Sequence, residues 1–371
     1  PRGTMVPPMA IRRVLAIGVT CLAVCDTLAS GGKSVGAPRA RRVRVKNGAR
    51  DRPYDPSKPL RVMSWNVQYC AGTSRHFFYD GGQAVRVPRR EVRENVRKIA
   101  DVIAEAQPDV VLLQEVDRRS LRTGFVDEHR ALRRLLPEHT SHASCAYWRV
   151  PWVPHPRHEH VGLINMHLTV LSRFSITGAS RTQLPLLQES WIRRKFNLRR
   201  AVLSVDLACE DGGLLRMLNT HLSAFSRGDG TLDRQVGVIR AMVDSIDADA
   251  ACKGWLLAGD CNALPPGVPP EKHLSPDEAA LYAEQVSPIQ PLYETTSPVL
   301  PLRALQDQTM APMWFTYKPF QNTAGDRTID HAFTSATVRT LDAKVVQTPG
   351  WPSDHLPVLF ELQPEALTPQ S

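Results

Sequence analysis

The sequence lacks the cysteine patterns that mark a disulfide framework or a zinc site. Its seven cysteines are odd in number, and it contains no Cys-x-x-Cys pair and no Cys/His zinc spacing. The apolar run at residues 14–25 is too short to span a bilayer. No internal repeat is apparent. With 371 residues and a 42% hydrophobic composition, the chain can bury a sizeable core in one large domain or two small ones.

A basic excess is missing from most of the chain, although the formal net charge is +9. Residues 1–50 carry ten basic side chains and one acidic side chain. From totals of 46 and 37, this leaves 36 of each in the rest of the chain. A nucleic-acid-binding domain usually carries its basic footprint on the folded domain itself. The neutral body therefore lowers the expectation of a long nucleic-acid substrate without excluding one.

The N-terminus has the pattern of a leader peptide. Arg12 and Arg13 precede the apolar run, which has roughly the length of a signal h-region. Residues 22–25 loosely resemble a lipoprotein cleavage box, although Val24 is larger than the usual residue there. This pattern leaves two alternatives. One is an exported or envelope-attached protein, and the other is a cytoplasmic protein with a disordered extension or a mis-assigned start. Residues 30–58 are rich in Gly, Pro and basic residues and predict a flexible linker.

From Pro59 onward, hydrophobic periodicity predicts strands and helices. Strands are predicted at residues 60–67, 110–113, 167–172, 200–207, 214–220, 254–258, 328–334 and 357–362. Helices are predicted at residues 88–106, 128–136 and 232–246. Residues 265–301 are predicted to be a Pro-rich loop with one short helix near 276–285. Many strands with few long helices favour an α/β sandwich of two sheets with helices packed outside.

Polar side chains stand where the predicted apolar strands end or begin. They are Asn66, Glu115, His221, Asp260, Asn262, Asp330, Asp354 and His355. A strand end is a rigid platform, and the loop beyond it faces solvent, so polar groups gathered there form a site more often than scattered surface polarity does. We therefore expect these side chains to belong to one functional site.

The residue types in this set suit the cleavage of a phosphate ester. A hard cation draws charge off the phosphoryl oxygens. Mg²⁺ prefers carboxylate and amide oxygens together with water, so Glu115 and Asn66 are a candidate ligand pair. The attacking water needs a group that orients or deprotonates it, and both Asp260 and His355 are candidates. A histidine beside a carboxylate keeps a defined tautomer and a raised pKa, and Asp330 with His355 is the candidate dyad.

Seven short motifs follow one another along the chain. They are Ser64-Trp65-Asn66-Val67, Leu113-Gln114-Glu115-Val116, Leu171-Ser172-Arg173-Phe174, Asn219-Thr220-His221-Leu222, Gly259-Asp260-Cys261-Asn262, Thr328-Ile329-Asp330-His331 and Ser353-Asp354-His355-Leu356-Pro357. Each motif is weak alone. In this order, over roughly residues 59–363, they resemble the endonuclease/exonuclease/phosphatase superfamily. That superfamily includes DNase I-like nucleases, abasic-site endonucleases, neutral sphingomyelinases and inositol polyphosphate 5-phosphatases.

The resemblance implies a fold and a domain organisation. The implied fold is a DNase I-like, four-layered α/β sandwich of two packed, mainly antiparallel sheets flanked by helices, with the active site at one edge of the sheets. Residues 59–363 would form the catalytic domain. Residues 1–58 would be the leader-like segment and linker, and residues 364–371 a C-terminal tail.

The resemblance also implies a metal site. Glu115 with Asn66 would bind Mg²⁺, with Mn²⁺ as the alternative ion, and Asp354 would assist in this site. The reaction implied is metal-dependent hydrolysis of a phosphoric ester.

The resemblance further implies catalytic roles for the remaining polar residues. Asp260 and Asn262 would align the nucleophilic water and the phosphate. His355, oriented by Asp330, would act as the general base or as a phosphate ligand. His221 would be a candidate proton donor to the leaving group.

The substrate is less well defined by the sequence than the reaction. A histidine at the position of His221 favours the phosphodiesterase or phosphatase branch over the abasic-site endonucleases, which generally lack it. Together with the neutral body, this predicts a small-molecule or lipid phosphate ester, with a DNase I-like nuclease acting on nucleic acid as the alternative. A non-catalytic member would usually have lost part of the polar set. No obligate protein partner is evident, and we expect a monomer.

Specificity is expected to depend on the loops between the motifs, mainly residues 70–88, 141–165, 181–199 and 265–312. Two positions depart from the family pattern. Cys261 replaces the usual aromatic residue and is expected to pack inward. His331 replaces a common Tyr and is expected to point away from the site, because neighbours alternate along a strand.

Two polar segments remain open between alternatives. The three histidines of residues 155–160 are either part of a solvated loop at the rim of the site or a metal cluster. The basic residues of 193–200 are either a solvated face or a contact for an anionic substrate.

Overall fold

The computed structural model describes residues 40–48, 51–224, 229–282, 286–320, 322–348 and 350–365. The leader-like segment, with Cys21 and Cys25, lies outside the described residues, as do most of the C-terminal tail and part of the predicted linker. Within the described ranges, no helix is both long and apolar enough to cross a membrane.

Fourteen strands and seven α-helices make up the described part of the fold. The strands are β1 Ala40–Arg42, β2 Val45–Lys46, β3 Leu60–Asn66, β4 Val110–Asp117, β5 Ser141–Val153, β6 Gly162–Ser172, β7 Ile176–Gln183, β8 Ala201–Ala208, β9 Leu214–His221, β10 Cys252–Asp260, β11 Ser297–Pro298, β12 Asp330–Thr334, β13 Val338–Val345 and β14 Val358–Pro364. The helices are α1 Arg89–Ala106, α2 Glu128–Leu135, α3 Trp191–Phe196, α4 Thr231–Asp247, α5 Pro276–Ala279, α6 Gln290–Thr295 and α7 Leu302–Gln306.

The strands form two sheets of seven strands each within the described residues. One sheet has the order β1-β7-β8-β9-β10-β12-β11, and the other has the order β13-β14-β3-β4-β6-β5-β2. Each sheet contains one parallel neighbouring pair, β9 with β10 and β3 with β4, while its other pairs are antiparallel. The predicted pair of mainly antiparallel sheets is confirmed.

Alternation along the strands divides their side chains between an inner and an outer apolar layer. In β3, Leu60 and Val62 pack in the core between the sheets, while Met63 packs against α1 on the outer face. Helix α1 buries one face that includes Val96 and Ile99, and each such residue stabilises the fold by roughly 1.5–3 kcal/mol. Helix α4 covers the outer face of the other sheet in the same way. The predicted four-layered arrangement is therefore confirmed.

Two segments that were expected to be irregular contain strands. Residues 141–165 hold β5 and the start of β6, because alternate positions of β5 are buried although Ser, His and Pro interrupt its apolar run. The predicted linker contains β1 and β2, which add an edge strand to each sheet. Tyr54, from the same predicted linker, is 1% exposed in the core between the sheets. The folded unit therefore begins before residue 59.

Candidate active site

The site lies where the inward-facing rows of both sheets change from apolar to polar. Side chains on one face of a strand repeat every second residue. Asp260 therefore continues the row of Leu256 and Ala258, which pack between the sheets. Asn66 continues the row of Val62 from the opposite sheet. Both sheets thus deliver polar ends to one cleft.

Strand register sets His221, Asp260 and Asp330 side by side. Asp260 lies opposite His221 across the parallel pair and opposite Asp330 across the antiparallel pair. Nε2 of His221 lies 3.3 Å from Oδ2 of Asp260. At Gly259 a Cβ would collide with the carbonyl oxygen of Thr220, so the close approach of these strands requires glycine.

Backbone and side-chain bonds fix the orientation of His355. Its Nδ1 lies 2.7 Å from Oδ2 of Asp330, so the pair expected from the sequence is in contact. The carbonyl oxygen of His355 accepts from Nε1 of Trp65 at 2.8 Å. Its backbone N–H donates to Oγ of Ser353, and that hydroxyl donates to the carbonyl oxygen of Asn66. Nε2 of His355 is left facing the other polar groups of the site.

The carboxylates around His355 decide its charge. Burial alone lowers the pKa of this imidazole, but Asp330, Asp260 and Asp354 outweigh burial and raise the pKa to about 10. His355 is therefore protonated at neutral pH, with Nε2 3.7 Å from Oδ2 of Asp260. A protonated imidazole is a hydrogen-bond donor on both nitrogens and has no base function.

Asp260 is a buried carboxylate that accepts two hydrogen bonds from asparagines. Its Oδ2 accepts from Nδ2 of Asn66 at 3.0 Å, and its Oδ1 accepts from the backbone N–H of Asn262 at 2.9 Å. Burial raises its pKa and the charge of Asp330 adds to this, while His355 and the two hydrogen bonds oppose the rise. The net effect is a carboxyl group of higher basicity than an exposed aspartate.

Glu115 sits in a β-bulge inside β4, not at the strand end where the sequence predicted it. The register of β4 against β6 shifts between Leu113 and Val116, and Glu115 has a φ of 57°. Bulges re-aim a side chain, and this bulge turns the carboxylate towards the site. Oε1 of Glu115 lies 3.4 Å from Nδ2 of Asn66 and 3.8 Å from Nδ1 of His221.

Asp354 is the second carboxylate beside Glu115. Burial raises its pKa to about 7, and the negative charge of Glu115 adds to the rise while His355 opposes it. Among the described residues, neither Glu115 nor Asp354 forms an ion pair with a lysine or an arginine. No group of three or more His, Cys, Asp or Glu in the described part is arranged to hold a metal. The two carboxylates still fit Mg²⁺, because this ion keeps several waters and is commonly held by one or two carboxylates.

Asn66 presents its amide nitrogen, not its oxygen, to the carboxylates. Nδ2 faces Glu115 and Asp260, and it lies 3.5 Å from Nε2 of His355. The amide oxygen accepts from the backbone N–H of Gln68 at 3.0 Å. This oxygen assignment follows from the hydrogen bonds, because a flipped amide would lose the bond to Gln68.

His221 is a buried, neutral histidine. Burial lowers its pKa well below the usual value, and the cations Arg200 and His355 lower it further. Its Nδ1 lies 3.1 Å from Oη of Tyr147, whose own pKa is raised well above the usual value by burial. The sequence did not predict Tyr147 as a site residue, because the strand that carries it was expected to be a loop.

Arg200 differs from the other basic residues of the segment 193–200 because its side chain is buried. It is 8% exposed, its Nη1 is buried without a hydrogen-bond partner, and it forms no ion pair with a described residue. Burial lowers its pKa, opposed by Tyr147, Glu115 and Asp260. Arg193, by contrast, is exposed on α3. Arg193 therefore belongs to a solvated face, whereas the buried Arg200 stays a candidate contact for an anionic substrate.

Buried amides join the two sheets beneath the site. Nε2 of Gln114 donates to Oδ1 of Asn219 at 2.8 Å. Nδ2 of Asn219 donates to the carbonyl oxygens of Leu113 and Thr169 at 2.9 and 3.0 Å. These bonds cross from one sheet to the other and keep the two polar rows at a fixed separation. Both amides stood in sequence motifs, but no sequence pattern indicated this bridge.

The remaining sequence expectations concern residues at the edge of the site. Cys261 is 2% exposed and packs in the apolar layer under α4, as expected. His331 contacts Oη of Tyr293 and the carbonyl oxygen of Ala263, so it points away from the site, as expected. In the segment 155–160, His155 packs against Phe78, Nε2 of His158 lies 3.0 Å from the carbonyl oxygen of Gln83, and His160 packs against Trp152.

Comparisons with known proteins agree with this architecture. The family model described as Endonuclease/Exonuclease/phosphatase family matches residues 63–355. An endonuclease/exonuclease/phosphatase from Beutenbergia cavernae is 22% identical with a TM-score of 0.55, covering 83% of this chain and 72% of its own. One from Bacteroides vulgatus is 14% identical with a TM-score of 0.53, covering 83% and 100%. The human Nocturnin catalytic domain, solved with a bound sulfate anion, is 18% identical with a TM-score of 0.51, covering 88% and 96%. No curated protein sequence matched the chain.

Proposed function

The chain belongs to the endonuclease/exonuclease/phosphatase family, whose members are hydrolases acting on phosphate esters, and from this premise we propose a Mg²⁺-dependent hydrolase of its phosphodiesterase or phosphatase branch. The observation that carries the proposal is the buried Asp260, a carboxylate of raised pKa between the protonated His355 and the amide of Asn66. When bound by Glu115 and Asp354, Mg²⁺ would withdraw charge from the phosphoryl oxygens.

Asp260 is the residue that we assign as the general base. A base works best when its pKa lies near the working pH, and burial moves the pKa of Asp260 upward towards neutrality. His355 carries a proton at neutral pH and therefore leaves the base role to Asp260. Of the two candidates that the sequence left open, the electrostatics favour Asp260. The attacking water would lie between Asp260 and the side chain of Asn262, which follows two residues later.

The cations His355 and Arg200 would bind the phosphoryl oxygens. Nε2 of His355 faces the site, and Asp330 behind it keeps the ring charged and oriented. Arg200 supplies a guanidinium that is buried without a carboxylate partner among the described residues. A buried charge of this kind is costly unless an anion pairs with it, and the phosphate would be that anion. Asn66 would donate from Nδ2 to the same phosphate and would not act as a metal ligand through its oxygen.

His221 would position Asp260, which differs from the role of proton donor expected from the sequence. The raised pKa of Tyr147 keeps its hydroxyl protonated, so this hydroxyl donates to Nδ1 of the neutral His221. Nε2 then carries the remaining proton and donates towards Oδ2 of Asp260 at 3.3 Å. This arrangement orients the carboxylate that activates the water.

The charge around the site supports a small or lipid ester over a long nucleic acid. Arg122 and Arg327 also lie near the site, but each forms an ion pair with a buried aspartate, Asp117 and Asp326 respectively. Among the described residues near the site, Arg200 and Lys318 form no ion pair, and Lys318 donates to the carbonyl oxygens of Pro319 and Asn322. A nuclease would need further cations along the polyanion, because affinity for DNA grows with the number of phosphates neutralised.

A hydrolysis panel tests the proposal. With Mg²⁺, the enzyme is expected to release p-nitrophenolate from bis-p-nitrophenyl phosphate, and EDTA should abolish this release. Asp260→Asn should lower kcat by about 10²–10⁴, the usual contribution of a general base. Full activity of this variant, or full activity in EDTA, would contradict the mechanism. Sphingomyelin, phosphoinositides, RNA and plasmid DNA in the same panel separate the branches, and preferential cleavage of plasmid DNA or RNA would favour the nuclease alternative.

A further inference from the structure

We infer that a cavity beside Asn262 binds an uncharged, mainly apolar group that is esterified to the phosphate and stays attached to it after cleavage. The substrate would then be a phosphodiester, since a monoester has no such group to retain. This inference rests on the proposed function, because it assigns the substrate class of the same site. It draws on the shape, lining and position of the cavity.

The cavity opens next to the catalytic residues and has a volume of about 320 Å³. Asn262 forms part of its wall, and the segment 263–271 continues the wall away from β10. The N-terminal turn of α4 contributes Leu232, and the opposite side is closed by Leu281, Tyr282, Ser287 and Pro288. This volume lies at the lower end of the range for small-molecule pockets, and it suits a group the size of a substituted phenyl ring.

Hydrogen bonds within its walls preform the cavity. Asn262 has a φ of 49°, which turns the chain sharply after β10, and its Nδ2 donates to the carbonyl oxygen of Leu222 at 3.1 Å. Across the cavity, Oγ of Ser287 donates to the carbonyl oxygen of Leu264 at 2.6 Å. The first bond anchors Asn262 to the residue that follows β9, and the second joins two wall segments, so a ligand would not need to order these parts of the wall on binding.

The lining of the cavity selects against a second anionic group. Apolar side chains such as Leu232, Ala263, Val268 and Leu281 form much of its wall. Among the described residues, the lining includes no lysine, arginine or histidine, and its one charged residue is the acidic, exposed Glu271. A carboxylate or phosphate here would find repulsion and no counter-charge. An uncharged apolar group would instead gain roughly 25 cal/mol for each Å² of its surface that leaves water.

The position of the cavity decides which ester group it holds. In an in-line displacement, the leaving oxygen departs on the side of phosphorus opposite the attacking water. Asp260 activates that water, and Asn262 lies on the same turn two residues later. A group held beside Asn262 is therefore on the side of attack or lateral to phosphorus, which is the place of the retained ester group.

Two diesters with a common leaving group test this inference. Methyl p-nitrophenyl phosphate and phenyl p-nitrophenyl phosphate both release p-nitrophenolate, so they differ only in the retained group. Val268→Trp fills the cavity. The measured quantity is kcat/KM for the phenyl ester divided by kcat/KM for the methyl ester, and we expect it to be at least about tenfold lower in this variant than in the wild type. Because the same two esters are compared in the variant and in the wild type, any difference in their intrinsic reactivity cancels. Turnover of the methyl ester should stay within about twofold, which also shows that the variant is folded.

Leu341→Trp is the matched control, because it adds the same side chain at an exposed position of β13. It should leave the ratio unchanged. An unchanged ratio in Val268→Trp, or an equal loss for both esters, would overturn the inference while the proposed function stands. If the wild type hydrolysed neither ester, the proposed function would fail, and the inference would fail with it.

A second variant tests the charge selection without filling the cavity. A retained 4-carboxyphenyl group should be disfavoured relative to phenyl, because Glu271 repels its carboxylate. Glu271→Lys should reduce this preference by about tenfold, whereas Glu271→Gln should reduce it less. If Glu271→Lys left the preference as it is, the selection assigned to the cavity would be wrong.

Discussion

His355 and a separate group of buried histidines in this protein differ in their charge state. In the active site, His355 is surrounded by carboxylates, and its pKa is raised to about 10. Between α2 and the β5–β6 pair, His129, His142 and His167 form a second group, which we call the α2 histidine cluster. The rings of His129 and His142 lie 4.9 Å apart, centroid to centroid. The pKa values of this pair are lowered to about 2 and about 4.

The neighbours of each group explain the difference. Burial disfavours the charged form in both. Around His355, three aspartates more than compensate for it. In the α2 histidine cluster, burial acts together with Arg118 and Arg133, which repel a second positive charge. The same side chain is therefore charged in one place and neutral in the other, and the sign of its neighbours decides which.

Replacing one histidine from each group should produce the largest contrast. His355→Gln is expected to lower kcat/KM by about 10³, because it removes the charge proposed to bind the phosphate. His142→Gln, in the α2 histidine cluster, should change kcat/KM by less than about twofold. Initial rates on bis-p-nitrophenyl phosphate measure both. Comparable losses in the two variants would contradict the separation of roles.

Most of the fold could be predicted from the sequence, because hydrophobic periodicity is strong in the elements that pack in the core. The strand ending at Asn66 and the helix Arg89–Ala106 follow simple alternation or helical spacing, and both were predicted within a residue or two. Strand β5 was missed because Ser, His and Pro break its apolar run, and its burial depends on a partner strand. The two short strands before residue 47 were missed because edge strands of two or three residues leave no period to detect.

The sequence predicted most of the residues of the candidate site, but not the orientation of every side chain and not all of the neighbouring residues. Strand-end patterns and motif order identified Asp260, His355 and their partners, since these positions follow from alternation. The orientation of the Asn66 amide was not predictable, because it depends on a backbone N–H two residues later. Tyr147 lies in β5 of the opposite sheet and Arg200 directly precedes β8, so their proximity to His221 depends on sheet packing and on the β8–β9 pairing, respectively.

Removing the carboxylate behind His355 should have a smaller effect than removing the ring itself. Asp330→Asn keeps the shape but takes away the charge that most strongly raises the pKa of His355. We expect kcat to fall by about 10- to 100-fold. The free energy of unfolding should change by less than the activation free energy of the reaction does. The exposed Asp342→Asn on β13 is the matched control and should have wild-type activity. Wild-type kcat in Asp330→Asn would show that His355 does not depend on this partner.

The α2 histidine cluster should make the free energy of unfolding depend on pH. The folded-state pKa values of His129, His142 and His167 lie below the unfolded value of about 6.5. As pH falls below about 6.5, the unfolded state binds protons that the folded state does not bind. The free energy of unfolding should therefore decrease between pH 6.5 and about 4, by up to about 1.4 kcal/mol per pH unit for each histidine.

Urea unfolding at pH 7, 6 and 5 measures this slope in the wild type and in His142→Gln. The variant loses one of the three titrating groups, so its slope should be smaller by close to one proton, whatever its absolute stability. Equal slopes in the wild type and His142→Gln would mean that His142 takes up its proton over the same pH range in the folded and unfolded states. The contrast between His355 and the α2 histidine cluster would then rest on His129 and His167.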